Sequence, residues 1–273
     1  GVAPGALQLV SGDTQTTRNA GKTSASRQTF VSGNAAKQAG LALRDAILRR
    51  ANAGDDAIVM FHDSRISVLS GGATTVLDPS AMPVDAEGLV LRGEGWYDPP
   101  TTALDENGQG IPYASYAFAA QAALVEVDTA LGTVRVRRIV AAHDVGRAIN
   151  PTQVEGQIHG GIAQGLGLAL MEEYLPGRTD NLHDYLIPTI GDVPEIETIL
   201  VEQADPLGPY GAKGVGEPAL VATAPAILNA IADSTGACLT RVPATPDRGL
   251  AARLCAARGP PPMPRPTRRR RPR

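Results

Sequence analysis

Glu217 is the residue of this sequence whose setting most invites chemistry. It ends the stretch Gly208-Pro209-Tyr210-Gly211-Ala212-Lys213-Gly214-Val215-Gly216-Glu217-Pro218, in which Gly211, Gly214 and Gly216 fall close together. Glycine admits backbone dihedrals closed to other residues and lets a ligand lie directly against the main chain. Pro218 pre-sets the first turn of a helix, and the apolar spacing from Ala219 to Ile231 suits a buried one. The carboxylate thus stands at a helix N-terminus, whose dipole favours the ionised form, while burial would raise its pKa. A general base poised by that opposition is one reading. A residue that merely caps a surface helix is the other.

A second constellation is Gly156-Gln157-Ile158-His159-Gly160-Gly161-Ile162-Ala163-Gln164-Gly165-Leu166-Gly167. Each glycine costs about 1 kcal/mol against alanine inside a helix, so something must compensate. Gly156, Gly160 and Gly161 recur at helical spacing and would make a flat face for a ligand or a second backbone. Gln157 and Gln164 stand seven residues apart, so both amides share a face and offer donors and acceptors there. Neutral amides suit a heteroaromatic cofactor or a metal-oxo group, and glycine-mediated helix packing is the structural alternative.

A third runs Gly12-Asp13-Thr14-Gln15-Thr16-Thr17, then Gly21-Lys22-Thr23-Ser24-Ala25-Ser26-Arg27-Gln28-Thr29. Hydroxyls and backbone amides gathered where a loop runs into a helix make a cradle for phosphate or pyrophosphate. A plain N-cap explains one of these residues but not the run. In His143-Asp144-Val145-Gly146-Arg147-Ala148-Ile149-Asn150-Pro151, Asp144 and Arg147 are expected to pair internally and shape a turn. Serine-hydrolase and P-loop readings fail, because neither GxSxG nor GxxxxGK[ST] occurs. Cys238 and Cys255 form no CxxC pattern, and the four histidines lack metal-ligand spacing. Any metal must be held mostly by something other than these side chains.

The elements that would position these residues are mixed. A strand is expected at Leu7–Val10 and a helix from about Gln28 to Ala51. Ala57–Phe61 and Arg65–Leu69 read as a hairpin turning at Asp63-Ser64. Residues 70–113 are loop-rich and proline-rich, forming either a channel wall or a wrapping segment. Ala122–Asp128 and Val134–Ala142 alternate as paired strands about the turn 129–132. Asn150-Pro151 starts a helix to about Tyr174, and a strand follows at Thr198–Glu202. Strands and helices do not alternate as strict βαβ units, so the fold class is α+β.

With 273 residues, 43% of them hydrophobic, the chain can bury a large core as one big domain or two lobes. No run of 18 apolar residues occurs and the N-terminus is unlike a signal peptide, which implies no membrane span. The first residue is not methionine, and a piece of a longer polypeptide is expected. The formal charge is −3, but residues 258–273 carry seven arginines and no acid, so the remainder stands at −10. An acidic body without a basic face argues against a nucleic-acid substrate. The Pro/Arg-rich tail is expected not to fold.

Together these motifs resemble the molybdenum hydroxylases of the xanthine dehydrogenase and aldehyde oxidase family, in the C-terminal part of their molybdopterin-binding large subunit. The GDT loop, the TSASRQT segment, the DVGRAINP turn, the GQIHGGIAQGLG helix and the GAKGVGEP loop occur in the family's order between about Val10 and Leu254. The resemblance implies mixed sheets packed with helices over residues 1–257. It makes Glu217 the active-site base, acting on a metal-bound hydroxyl so that oxygen attacks an electron-poor sp2 carbon. It makes Gln157 a ligand of the pterin, and Thr23, Ala25, Ser26, Arg27 and Gln28 the loop that holds the dinucleotide largely through backbone groups. Ala212, Lys213, Gly214, Val215 and Gly216 would pass close to the metal. The cofactor would be molybdopterin, in its cytosine dinucleotide form, with molybdenum held by the dithiolene sulfurs. [2Fe-2S] centres and FAD would lie on partner domains or subunits of an oligomer in the cytoplasm. The substrate would be a small aldehyde or N-heterocycle. A non-catalytic fragment or nucleotide-binding assembly module derived from the family is the other reading, and a metal analysis separates the two.

Overall fold

The structure, a computed structural model, describes residues 2–257; the tail 258–273, expected not to fold, lies outside the described residues, as does the Cys255 side chain. The described chain forms two compact units, one running to Ser115 and including Pro206–Ala212, the other comprising Tyr116–Asp205 and the residues from Lys213 on. Helices and strands segregate as expected of an α+β fold.

In the first unit the expected strand at Leu7–Val10 does not form. Leu9 is 85% exposed and no strand among the described residues pairs with its backbone, and an extended segment without a partner gains nothing from being a strand. The expected helix from Gln28 begins with a π-helical turn, Gln28–Ser32, and continues as α1, Gly33–Ala51, ending on the left-handed Asn52. The hairpin is formed by β1, Ile58–His62, and β2, Arg65–Ser70, through the left-handed pair Asp63 and Ser64. A third antiparallel strand, β3 at Ala73–Leu77, arises inside the stretch read as loop. Its signal was Gly71-Gly72, whose positive φ values of 55° and 82° suit a tight hairpin turn. Ile47 and Leu48 of α1 pack on Ile66 and Val68 of β2 to make this unit's core. Beyond β3 the chain wraps across α1: a Cβ at Gly93 or Gly95 would collide with the helix backbone at Ala39 and Ala35.

The second unit is built on β4, Ala119–Asp128, β5, Thr133–Asp144, and β6, Glu195–Val201, in that order, with β4–β5 antiparallel and β5–β6 parallel. Asp128 closes the turn by accepting from the backbone N–H groups of Ala130 and Leu131. α2, Pro151–Leu170, starts where Asn150-Pro151 predicts it, with the Asn150 side chain accepting from Gln153 N. It stops four residues short of Tyr174, because Met171 leaves helical geometry and Met171 N and Glu172 N both bond to Gly167 O. The last expected helix is split into α3, Pro218–Val221, and α4, Thr223–Thr235. Pro225 has no N–H for Val221 O and its ring crowds that carbonyl, so the break falls at Ala222. α5 follows at Pro246–Ala257. Ile139, Ile158, Ile162 and Ile227 are fully buried at the centre of this unit. No helix among the described residues is long and apolar enough to cross a membrane.

Candidate active site

Four of the five glycines of α2 separate into two sets. A Cβ at Gly161 would lie 2.6 Å from Ala219 Cβ, and one at Gly165 would collide with Thr223. These glycines let the backbone of α3 and α4 approach closely, as the packing alternative predicted. At Gly156 and Gly160 a Cβ would meet nothing within 4 Å. These two lie on the exposed side of the helix, which also carries Gln153, Gln157 and Gln164.

That packing sets a register. Gly161 faces Ala219 and Gly165 faces Thr223, each pair advancing four residues in the same direction, so α2 runs parallel to α3 and the start of α4. Counting back at about 1.5 Å per residue, Glu217 comes level with His159, roughly 3 Å along the axis from Gln157. The expected base, at the start of α3, and the expected pterin ligand, in the second turn of α2, thus lie at nearly the same height along the helix pair. Both are exposed.

Glu217 occupies the N-cap position of α3 but does not cap it through its side chain. The capping alternative therefore fails. The burial expected to oppose the dipole also fails among the described residues: Glu217 is exposed, because the buried face of this segment begins at Ala219, which is 0% accessible.

Two anchors flank the carboxylate. Before it, Lys213 N donates to Val145 O at 3.0 Å, while Lys213 Nζ donates to Asp144 Oδ2 at 2.6 Å and to the Tyr116 carbonyl at 2.9 Å. The expected Asp144–Arg147 pair is thereby corrected. The turn at Gly146, with φ of 62°, carries Arg147 to the exposed side, and Asp144 takes Lys213 instead. Behind Glu217, the Gln121 amide donates to Ala219 O at 2.9 Å and lies 3.3 Å from His143 Nε2, and Thr223 Oγ1 donates to Gln121 Oε1 at 2.8 Å. His143 is 1% exposed, and burial holds its pKa below the usual histidine value. Neither anchor was found from sequence. Gln121 had a signal, since it falls on the inward side of β4 with Ala123, Val125 and Val127, where an amide requires partners. Asp144 and Lys213 are 69 residues apart and had none.

In the first unit, the segment read as the dinucleotide loop is held by its own side chains. Arg27 Nη1 donates to the carbonyls of Ala20 and Lys22 at 2.8 and 3.2 Å, and Gln28 Nε2 donates to Thr23 Oγ1 at 2.6 Å. Ala25 and Ser26 take positive φ values of 54° and 53°, followed by right-handed Arg27. Left- and right-handed residues in succession turn neighbouring N–H groups into one concavity, and the π-turn that follows is of a kind frequent at functional sites. Ala212 is buried, whereas Val215 packs at the edge of the second unit's core. The hydroxyls of Gly12–Thr17 are used differently from the expectation. Thr16 Oγ1 and Gln15 N bond to the Asp13 carboxylate, and Thr17 Oγ1 to its carbonyl, so this part closes on itself instead of facing a phosphate. The bonds from Gln15 N and Thr16 Oγ1 hold the Asp13 carboxyl below the usual range.

Each unit by itself offers donors of a kind that suits a pterin cofactor: in the second, neutral amides and open glycines share the exposed side of α2, and in the first, a backbone concavity is stiffened by side chains that are already engaged. Among the described residues no three His, Cys, Asp or Glu side chains gather as a metal site.

Comparison with known proteins gives the family. Residues 1–194 match the molybdopterin cofactor-binding domain family, and the chain belongs to it. It is 33% identical over 234 residues to a xanthine dehydrogenase molybdenum-binding subunit of Escherichia coli O157:H7, covering 82% of this chain and 30% of that protein. It is 32% identical over 260 residues to an aldehyde oxidoreductase of Megalodesulfovibrio gigas, covering 92% of this chain and 26% of that one. The crystal structure of an aldehyde oxidoreductase from Desulfovibrio desulfuricans superposes with a TM-score of 0.72 at 33% identity, over 86% of this chain and 24% of that structure. The chain thus spans under a third of these relatives' length. The relatives are oxidoreductases of the xanthine dehydrogenase and aldehyde oxidoreductase type, as the sequence motifs implied.

Proposed function

We propose that this chain supplies the base and much of the pterin-binding surface of a molybdenum hydroxylase that inserts water-derived oxygen at an sp2 carbon of an aldehyde or an N-heterocycle such as a purine. The observation that carries the reading is the α2–α3 register, which brings the exposed Glu217 to nearly the same height along the helices as the exposed Gln157, whose side of α2 carries the open Gly156 and Gly160. The molybdenum of bound molybdopterin would supply the two-electron acceptor, the transferred oxygen coming from water. Gln157 would donate to and accept from the pterin, and the Lys213–Gly216 backbone would pass beside it. Thr23, Ala25, Ser26, Arg27 and Gln28 would form the concavity for the phosphates of a cytosine dinucleotide. Glu217 would accept a proton on a carboxylate oxygen as the reaction proceeds and release it to solvent afterwards.

Electrons would leave through [2Fe-2S] and FAD groups on partner subunits or domains. The name of the Escherichia coli relative, a molybdenum-binding subunit, supports such partners. The deciding experiment is Glu217→Gln in the assembled enzyme. Turnover should fall by roughly 10²-fold or more with molybdenum per chain unchanged, and substantial retained activity would overturn the reading.

A further inference from the structure

We propose that Asp144 and Lys213 are a positioning pair for the Glu217 loop, the lysine acting through its inward-turned amine and not through contact with the cofactor. The inference rests on the reading of Glu217 as the base. The Lys213 and Asp144 side chains are only 9% and 11% exposed. Lys213 Nζ reaches the Asp144 carboxylate at 2.6 Å and the Tyr116 carbonyl at 2.9 Å, while Gly146 N donates to the other Asp144 oxygen at 3.1 Å. Lys213 N bonds to Val145 O, so backbone and side chain of one residue are fixed to consecutive residues at the exit of β5.

From that point the chain has Gly214 and Gly216 before Glu217, and glycines do not hold a direction by themselves. A second anchor is Ala219, through Gln121 and the contact with Gly161. Glu217 therefore lies between an ionic anchor four residues before it and a packed anchor two residues after it. An apolar pair would serve equally well for mere stability, since buried ion pairs rarely outperform hydrophobic replacements. A directional charge-assisted bond fixes an orientation that apolar contact does not.

The test compares Lys213→Met, Asp144→Asn and the apolar double variant Lys213→Met/Asp144→Leu in the assembled, cofactor-loaded enzyme, with Glu217→Gln alongside. The single variants should lower kcat roughly 10- to 100-fold, the scale of a small misplacement of a reacting group, with KM and molybdenum per chain within about twofold. Amide exchange at residues 214–217 should accelerate in both. The double variant should regain thermal stability without regaining kcat. Recovery of kcat together with stability would make the pair merely structural, and unchanged exchange and kcat in the single variants would equally overturn the proposal. Activity retained in Glu217→Gln while exchange still accelerates in Lys213→Met would remove the base reading and leave the loop anchor standing.

Discussion

Gly161 of α2 lies so close to Ala219 of α3 that an added Cβ would stand 2.6 Å from the alanine methyl. This contact explains a glycine-rich helix in a core position. Gly161 and Gly165 give up helix propensity so that a second backbone can approach. The approach brings Glu217 level with the third turn of α2, one turn or less from the exposed Gln157.

Alanine at these glycines should have opposite effects. Gly161→Ala overpacks a contact made of backbone and a buried methyl, and should destabilise by about 1–3 kcal/mol. Gly160→Ala meets open space and should stabilise by about 0.5–1 kcal/mol through helix propensity. Urea midpoints of the cofactor-free protein check the pair, and equal effects would remove the two-face description of α2.

The same open face yields a prediction about the cofactor. Gln157→Ala removes an exposed amide that the described protein does not need for packing. Molybdenum per chain should fall several-fold while the thermal midpoint of the cofactor-free protein is unchanged. Gly160→Ala should also lower molybdenum content, although it raises stability. Full molybdenum loading in both variants would place the pterin elsewhere.

Arg27 provides a parallel test in the first unit. Its guanidinium holds two carbonyls of the preceding loop, and lysine cannot reproduce that fork. Arg27→Lys should weaken retention of the dinucleotide cofactor, read as its loss on gel filtration, with little change in the melting of the unit. Undiminished retention would take the segment Thr23–Gln28 out of the binding surface.

How much of this was legible in the sequence depended on range. Asn150-Pro151, Asp63-Ser64 and the alternation of Ala122–Asp128 carry local instructions, and each produced its element. Leu7–Val10 has the composition of a strand but no partner, and pairing is not a local property. The helix beginning at Pro218 was visible, but its division depended on what Pro225 does to the carbonyl four residues earlier. The site motifs Gln157 and Glu217 were legible as types. That they lie at nearly the same height along a helix pair was not, because it follows from a contact between residues 58 apart, Gly161 and Ala219.

His143 gives the pH dependence its sign. Ala219 O only accepts, so the Gln121 atom 2.9 Å from it is the amide nitrogen, and the second hydrogen of that nitrogen points to His143 Nε2. A bare Nε2 requires a neutral ring carrying its proton on Nδ1, which is buried without a hydrogen-bond partner among the described protein atoms. Protonation would set N–H against N–H in a buried site, in accord with the lowering of the His143 pKa by burial. The unfolded chain titrates near 6.5, so below that pH the unfolded state binds more protons than the folded one. The contribution of a neutral His143 is therefore complete above pH 6.5 and is lost as pH falls toward the depressed folded value. Thermal midpoints should decline below pH 6.5, before the carboxylates titrate near pH 4, and His143→Gln should flatten that first decline. A wild-type midpoint that stays level until the carboxylates protonate would show that His143 is not held neutral by this network.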